Sequence, residues 1–373
     1  MSLPEDRTFI LGKLAFTLAG RTPFFDALAE EFSPIRGEAT DRAPQLVFRQ
    51  VAQLDQIEGA SLFLPVVVGT DRFTYAAGKC RYLATKTTHG LDVAVAMAEP
   101  KGLRTLIPDN LQRAAHYNFM NFWERRVKSF VYNAFDYLAQ SCQVDHDQTF
   151  MHASSLERNG KALALLAWGG IGKTTSMLKL VLEDGWRFLS DDLGVLDADG
   201  VVSRSPKKMQ IYGYNLVNQP KVTAAMMQGR SFLDRWSWKM FKVIKGNKRI
   251  RRRLSAEQLF GADRIARTAQ LGQAIFLERH RSSSFVVETI TPDALARRCT
   301  AVLLREISPY DFVASAVQGA GNRSVLPSVG EMEERARGIM VKAFSRVPCQ
   351  LIKIPLQAGP DDLVAHLRSL LVI

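Results

Sequence analysis

Cysteine is scarce in this sequence, and what little there is carries no pattern. Four cysteines, Cys80, Cys142, Cys299 and Cys349, are scattered over 373 residues, with no CxxC pair and no Cys/His ligand spacing. That excludes a disulfide framework and a structural zinc site, and leads to the expectation of reduced thiols in a cytoplasmic protein. No apolar run approaches the ~18 residues of a membrane span. Glu5 and Asp6 come early, and Lys13 sits inside the first apolar patch, so the N-terminus does not read as a secretory signal. The 25 glycines and 15 prolines follow no period, which excludes collagen-like and low-complexity chains. Trp236 to Arg253 holds no acidic residue among many basic ones.

What is present describes an ordinary folded chain. Apolar residues make up 47% and charged residues 23%, as in soluble globular proteins, and the length suits two domains. The formal net charge is 49 − 37 = +12, and Trp236–Arg253 alone holds eight Lys/Arg. The remainder is therefore 12 − 8 = +4. The basicity is local.

The first 145 residues are expected to form a mixed α+β domain of unknown role. Leu62 to Ala84 is rich in β-branched and aromatic residues, broken at Gly-Thr-Asp and Ala-Gly-Lys, and reads as strands. From Asn110 to Gln140 the spacing turns helical, with Tyr117, Phe119, Phe122, Trp123, Val127, Phe130, Val131 and Phe135 forming a packed face. Residues 146–373 are expected to form a second, α/β domain. It opens with two apolar runs joined by Asn159-Gly160, a strong hairpin signal because both turn residues must take positive φ. A helix is predicted from Lys173 to Asp184, stopped at Gly185, then a strand Trp186–Ser190 ending on Asp191-Asp192. Asp199-Gly200 marks another hairpin, Thr291-Pro292-Asp293 a helix start, Gln350–Pro355 a strand, and Asp361 or Asp362 the last helix.

The chemistry lies in Ala167-Trp168-Gly169-Gly170-Ile171-Gly172-Lys173-Thr174. This matches the phosphate-binding loop pattern GxxxxGK[ST], with Ala167 in place of the first glycine. The loop follows an apolar strand and precedes an amphipathic helix, the context the pattern requires. Gly169, Gly170 and Gly172 free the backbone N–H groups to face phosphate oxygens. The helix start adds its positive dipole end. Lys173 would reach the terminal phosphates of ATP, and Thr174 would hold Mg²⁺. Asp191 and Asp192 fall at a strand end beside such a loop, where one carboxylate can serve the metal and its neighbour a second substrate as general base. Counting outward from the Asn-Gly turn places His152 opposite Ala167, at the mouth of the loop.

His152, the run Gly169–Thr175 and the run Gly185–Asp192 together resemble the bacterial HPr kinase/phosphorylase family, and more closely the HPr-kinase-related kinases, which share a core with phosphoenolpyruvate carboxykinases. Phe276–Arg279, Val287-Glu288 and Thr291–Leu295 also resemble these related kinases. The resemblance implies an α/β P-loop kinase core with ATP and Mg²⁺, transferring the γ-phosphoryl group to a hydroxyl of a small metabolite, a saccharide or a protein serine. By matching position, His152 takes the place of the family histidine. Asp191 and Asp192 take the metal and catalytic carboxylates, with Asp192 favoured as base and Asp191, with Thr174, as metal ligand.

The alternative is an ATP-hydrolysing switch or assembly module without an acceptor. A guanine-specific switch is disfavoured, since Gly246-Asn247-Lys248-Arg249 lacks the acid of a base-reading NKxD. Carboxykinase chemistry on a C4 acid lacks its substrate-binding motif. Around residues 229–262 lies a basic insertion in which Leu233, Trp236, Met240 and Val243 share one helical face, with Lys239, Lys242 and Lys245 largely on others. It suits a solvated face, a lid over an anionic substrate, or a membrane surface touched through Trp236–Arg253. Nucleic acid is the less favoured partner, and a homo-oligomer is compatible with the sequence.

Overall fold

A computed structural model describes residues 6–37, 43–58, 60–63, 65–97, 107–321 and 325–371. It is a mixed α/β structure with two eight-stranded sheets, one of which includes a strand off its main path. Packing divides the chain into two compact units with limits unlike the contiguous 1–145 and 146–373 division. One comprises Met1–Leu106, Phe122–Phe150 and Leu303–Ile339, the other Ile107–Asn121, Met151–Val302 and Met340–Ile373.

The first unit holds β1 (Arg7–Leu11), β2 (Leu14–Ala19), β3 (Leu46–Val51), β4 (Ser61–Phe63), β5 (Val66–Val68), β6 (Arg72–Ala77), β7 (Cys80–Lys86) and β8 (Leu91–Met97). They form one sheet in the order β1-β2-β3-β8-β7-β6-β5-β4. The strands read from Leu62–Ala84 are β4 to β7, turning at the glycine-containing breaks. The aromatic helix face packs as expected: Val127, Phe130, Val131 and Phe135 are buried, with Phe135 4.7 Å from Phe32 and Phe130 5.1 Å from Phe48 between ring centroids.

The helical stretch is not continuous, however. It breaks between Asp109–Ala114 and Phe122–Phe130. Phe119 sits at φ 50°, and its ring lies 5.2 Å from that of Trp238 and 4.4 Å below the Arg252 guanidinium. Those contacts within the second unit override the helical pattern at Phe119.

The second sheet contains β9 (Gln148–Arg158), β10 (Lys161–Leu166), β11 (Arg187–Ser190), β12 (Leu193–Asp197) and β13 (Val201–Ser203). A separate two-stranded ribbon, β14 (Met209–Tyr212) with β15 (Arg251–Leu254), stands beside it. The remaining strands of the large sheet are β16 (Thr268–His280), β17 (Val286–Thr289) and β18 (Cys349–Pro355). The order is β10-β9-β12-β13-β16-β18-β17, with β11 on β9 and β10 also pairing β16 in parallel. Strands β10, β9, β12, β13 and β16 thus close on themselves. Closure leaves fewer open edges.

Helix Lys173–Glu183 covers this sheet with Met177, Leu178, Leu180 and Val181, alongside Leu363 and Leu367 of the helix Pro360–Leu370. It stops where Gly185 adopts φ 73°, the left-handed turn a glycine takes at no steric cost. All four cysteines are free and buried. Among the described residues, no helix is long and apolar enough to cross a membrane.

Candidate functional site

The hairpin β9–β10 turns on Asn159 (φ 53°) and Gly160 (φ 78°), the paired positive φ values of a two-residue turn. Its register runs from Lys161 opposite Arg158 to Leu166 opposite Ala153. His152 and Ala167 are the next residues along the two strands, just beyond the last paired positions.

From Ala167 the backbone passes through Trp168, Gly169 and Gly170, all exposed, and enters the helix at Lys173. Gly170 has φ 79° and Gly172 φ 117°, conformations that a Cβ disfavours. A Cβ built on Gly169 or Gly170 would meet no atom within 4 Å, so both border open space. Lys173 is buried, and its ammonium donates to the carbonyls of Ala167 at 2.7 Å and Trp168 at 3.1 Å. It lies inside the curl of the loop.

Asp191 and Asp192 occupy the two-residue gap between β11 and β12. Asp192 sits at φ 70°, in the left-handed region that aspartate enters more readily than most residues, at about 1 kcal/mol or more of strain. The two carboxylates have different partners. Asp191 accepts from the Thr174 hydroxyl, 3.2 Å from each carboxylate oxygen, and from the Ser154 hydroxyl at 2.5 Å. Asp192 lies 3.5 Å from the Lys207 ammonium and 3.9 Å from His152 Nε2. The Ala153 N–H donates to the Asp192 carbonyl at 3.0 Å, which holds β9 against the pair. Because strand side chains alternate, His152 and Ser154 share a face and each addresses one aspartate.

Burial raises the Asp191 pKa above the ordinary carboxylate value, the Asp192 charge adding to it, while the Ser154 hydrogen bond and the Lys173 charge oppose the rise. Burial, followed by the Lys173 charge, pushes His152 down to about 4; Asp192 pulls the other way and Lys207 adds to the depression. The imidazole is therefore neutral at pH 7, and its approach to Asp192 is not an ion pair.

The donor set fits a divalent metal that arrives with a polyphosphate. Mg²⁺ takes oxygen ligands, commonly one or two carboxylates completed by phosphates and water. Thr174 and Asp191 provide a hydroxyl and a carboxylate side by side at a helix start, with open space at Gly169 and Gly170. Among the described residues, no group of three or more His, Cys, Asp or Glu could hold a metal by itself.

The expected residues thus divide. Lys173, Thr174, Asp191, Asp192 and His152 gather at one end of the sheet. Ile171 instead packs its side chain against the apolar core. The buried Thr175 hydroxyl accepts from the Asn215 amide at 2.9 Å, so its side chain serves the interior. Ser154 and Lys207 escaped sequence reasoning. Period-two alternation from His152 would have flagged Ser154, whereas Lys207, with only 2% of its side chain exposed, follows β13 in a segment without a local signature.

No family model and no curated protein matches this chain. Among solved structures, it is similar to the Hpr(Ser) kinase/phosphatase from Coxiella burnetii at 13% identity, over 59% of this chain and 95% of that one, with a TM-score of 0.27. At that score the likeness does not establish a shared fold.

Proposed function

We propose that the second unit is a P-loop phosphotransferase that moves the γ-phosphoryl group of ATP to a hydroxyl. The observation that carries this reading is the convergence of two carboxylates with separate partners on a glycine loop that opens a helix. Asp191 meets Thr174 at 3.2 Å, and Asp192 meets Lys207 at 3.5 Å.

The backbone N–H groups of Gly169 to Thr174 would receive the phosphates, aided by the helix N-terminus. Lys173 would exchange its two loop carbonyls for phosphate oxygens and neutralise charge on the transferred group. Thr174 and Asp191 would hold Mg²⁺, which would supply positive charge to offset that of the phosphates. Ser154 holds the Asp191 carboxylate in place from the adjoining strand.

Asp192 would accept the proton of the attacking hydroxyl as its oxygen bonds to the γ-phosphorus and the bond to the bridging oxygen breaks. Lys207, 3.5 Å from Asp192, and the neutral His152, 3.9 Å away, would orient that carboxylate towards the acceptor. The acceptor class remains a small metabolite, a saccharide or a serine.

The test is transfer of labelled γ-phosphate with Mg²⁺ to fractionated metabolites, saccharides and peptides. Acceptor-dependent transfer is expected, and Asp192→Asn should reduce it about a hundredfold or more while ATP still binds. ATP consumption that ignores every acceptor fraction, or normal transfer by Asp192→Asn, would overturn the assignment.

A further inference from the structure

The basic insertion has no part in the chemistry above. It folds as a helix, Phe232–Lys245, capped by the Ser231 hydroxyl on the Asp234 N–H and stopped at Gly246, φ 74°. At about 100° per residue, its side chains sort into three sectors. Asp234, Ser237 and Trp238 are buried and Phe241 is half-buried. Asp234 pairs with the buried Arg252, whose guanidinium stacks on Phe119 and Trp238. That face is fixed to the second unit.

The next sector is apolar and faces outward. Phe232 is 85% exposed, Leu233 41%, Trp236 52%, Val243 87% and Ile244 62%, with Met240 half-buried among them. Scattered exposed hydrophobics need no explanation, but a contiguous stripe over about 120° of a helix does. The third sector, along the far edge of the stripe, carries Arg235, Lys239 and Lys242, all exposed. Lys245, Lys248 and Arg249 continue the charge, with no acid between Trp236 and Arg253.

We infer that the outward stripe of helix Phe232–Lys245 seats this protein on an anionic lipid bilayer. Fourteen residues span about 21 Å, too short to cross the hydrocarbon and suited to lying along the headgroup boundary. The aromatic and aliphatic side chains would enter the acyl margin while the cationic edge meets lipid phosphates. Charge separates this occupant from a second copy of the chain, which would bring the same cations face to face. The anchored inner face presents the stripe outward without a rearrangement. This inference does not depend on the phosphotransferase reading.

The experiment sediments the full chain with vesicles of phosphatidylcholine alone and of phosphatidylcholine with phosphatidylserine. Binding to the anionic vesicles only, weakened by salt, is expected. The double variant Lys239→Gln/Lys242→Gln should weaken it about twenty-five-fold, at about fivefold per lysine. Trp236→Glu/Val243→Glu should abolish it, and brominated lipid should quench Trp236. Both pairs lie at exposed positions, so thermal melting and ATP binding should match the parent chain; their retention keeps a failure here apart from a failure at the phosphate loop. Equal sedimentation by the parent and the Glu variant, or none by either, would overturn the inference. So would a dimer in light scattering that Trp236→Glu dissolves while vesicles go unbound.

Discussion

Gly170 and Gly185 form a matched pair on which the phosphate-loop assignment can be tried. They flank the same helix, at φ 79° and φ 73°, and a Cβ on either would meet no atom within 4 Å. Alanine at each site therefore pays the same backbone strain and no clash, about 1 kcal/mol. For a unit of this size that lowers Tm by about 2–4 °C in both variants. They should part company when ATP and Mg²⁺ are added. Ligand at a hundred times its Kd adds about 2.7 kcal/mol of stability. A methyl on Gly170 would stand in the space the phosphates need. A tenfold rise in Kd removes about 1.4 kcal/mol of that gain. A methyl on Gly185 points away from any ligand and should leave the gain whole. Thermal melting with and without MgATP reads both numbers. Equal stabilisation of Gly170→Ala and Gly185→Ala would refute the argument that the glycines line a phosphate hollow.

Other consequences concern charge. His152 is neutral in the folded protein down to about pH 4, against about 6.5 in an unfolded chain. Above pH 6.5 neither state holds the proton; between 6.5 and about 4 mainly the unfolded state does, so stability falls as pH falls, by up to about 3 kcal/mol. His152→Asn should flatten denaturant-unfolding stability across that window, and an unchanged slope would remove the buried neutral histidine. Arg252→Ala should lower stability by about 3 kcal/mol or more, because it strands the buried Asp234 carboxylate. Asp234→Asn/Arg252→Met should recover much of that loss in the same unfolding assay.

The parts of the site that could be read from sequence are those set by local backbone rules. Asn159-Gly160 specifies its own turn, the turn specifies the register, and the register carries His152 to the mouth of the loop. Gly170 and Gly172 announce positive φ in the same way. What escaped depends on distant partners. Lys207 reaches Asp192 only through the path taken after β13, and nothing at Ser205-Pro206-Lys207 encodes that path. Phe119 breaks a good helical pattern because Trp238 and Arg252, more than a hundred residues later in the chain, take up its ring. Periodicity also located the apolar stripe of Phe232–Lys245 without revealing that Asp234 and Ser237 would form its inner face, a choice made by the buried Arg252. The limits of the two units were hidden for a related reason: a helix pattern shows an apolar face but not which sheet it will cover.

The most direct measurement is a crystal structure of the full chain with Mg²⁺ and a non-hydrolysable ATP analogue. The expected result has the phosphates against the N–H groups of Gly169 to Thr174, Lys173 turned from the Ala167 and Trp168 carbonyls onto phosphate oxygen, and the metal about 2.1 Å from Thr174 Oγ1 with Asp191 beside it. A nucleotide bound elsewhere, or a loop that keeps Lys173 on its own carbonyls while the analogue saturates the protein, would contradict it.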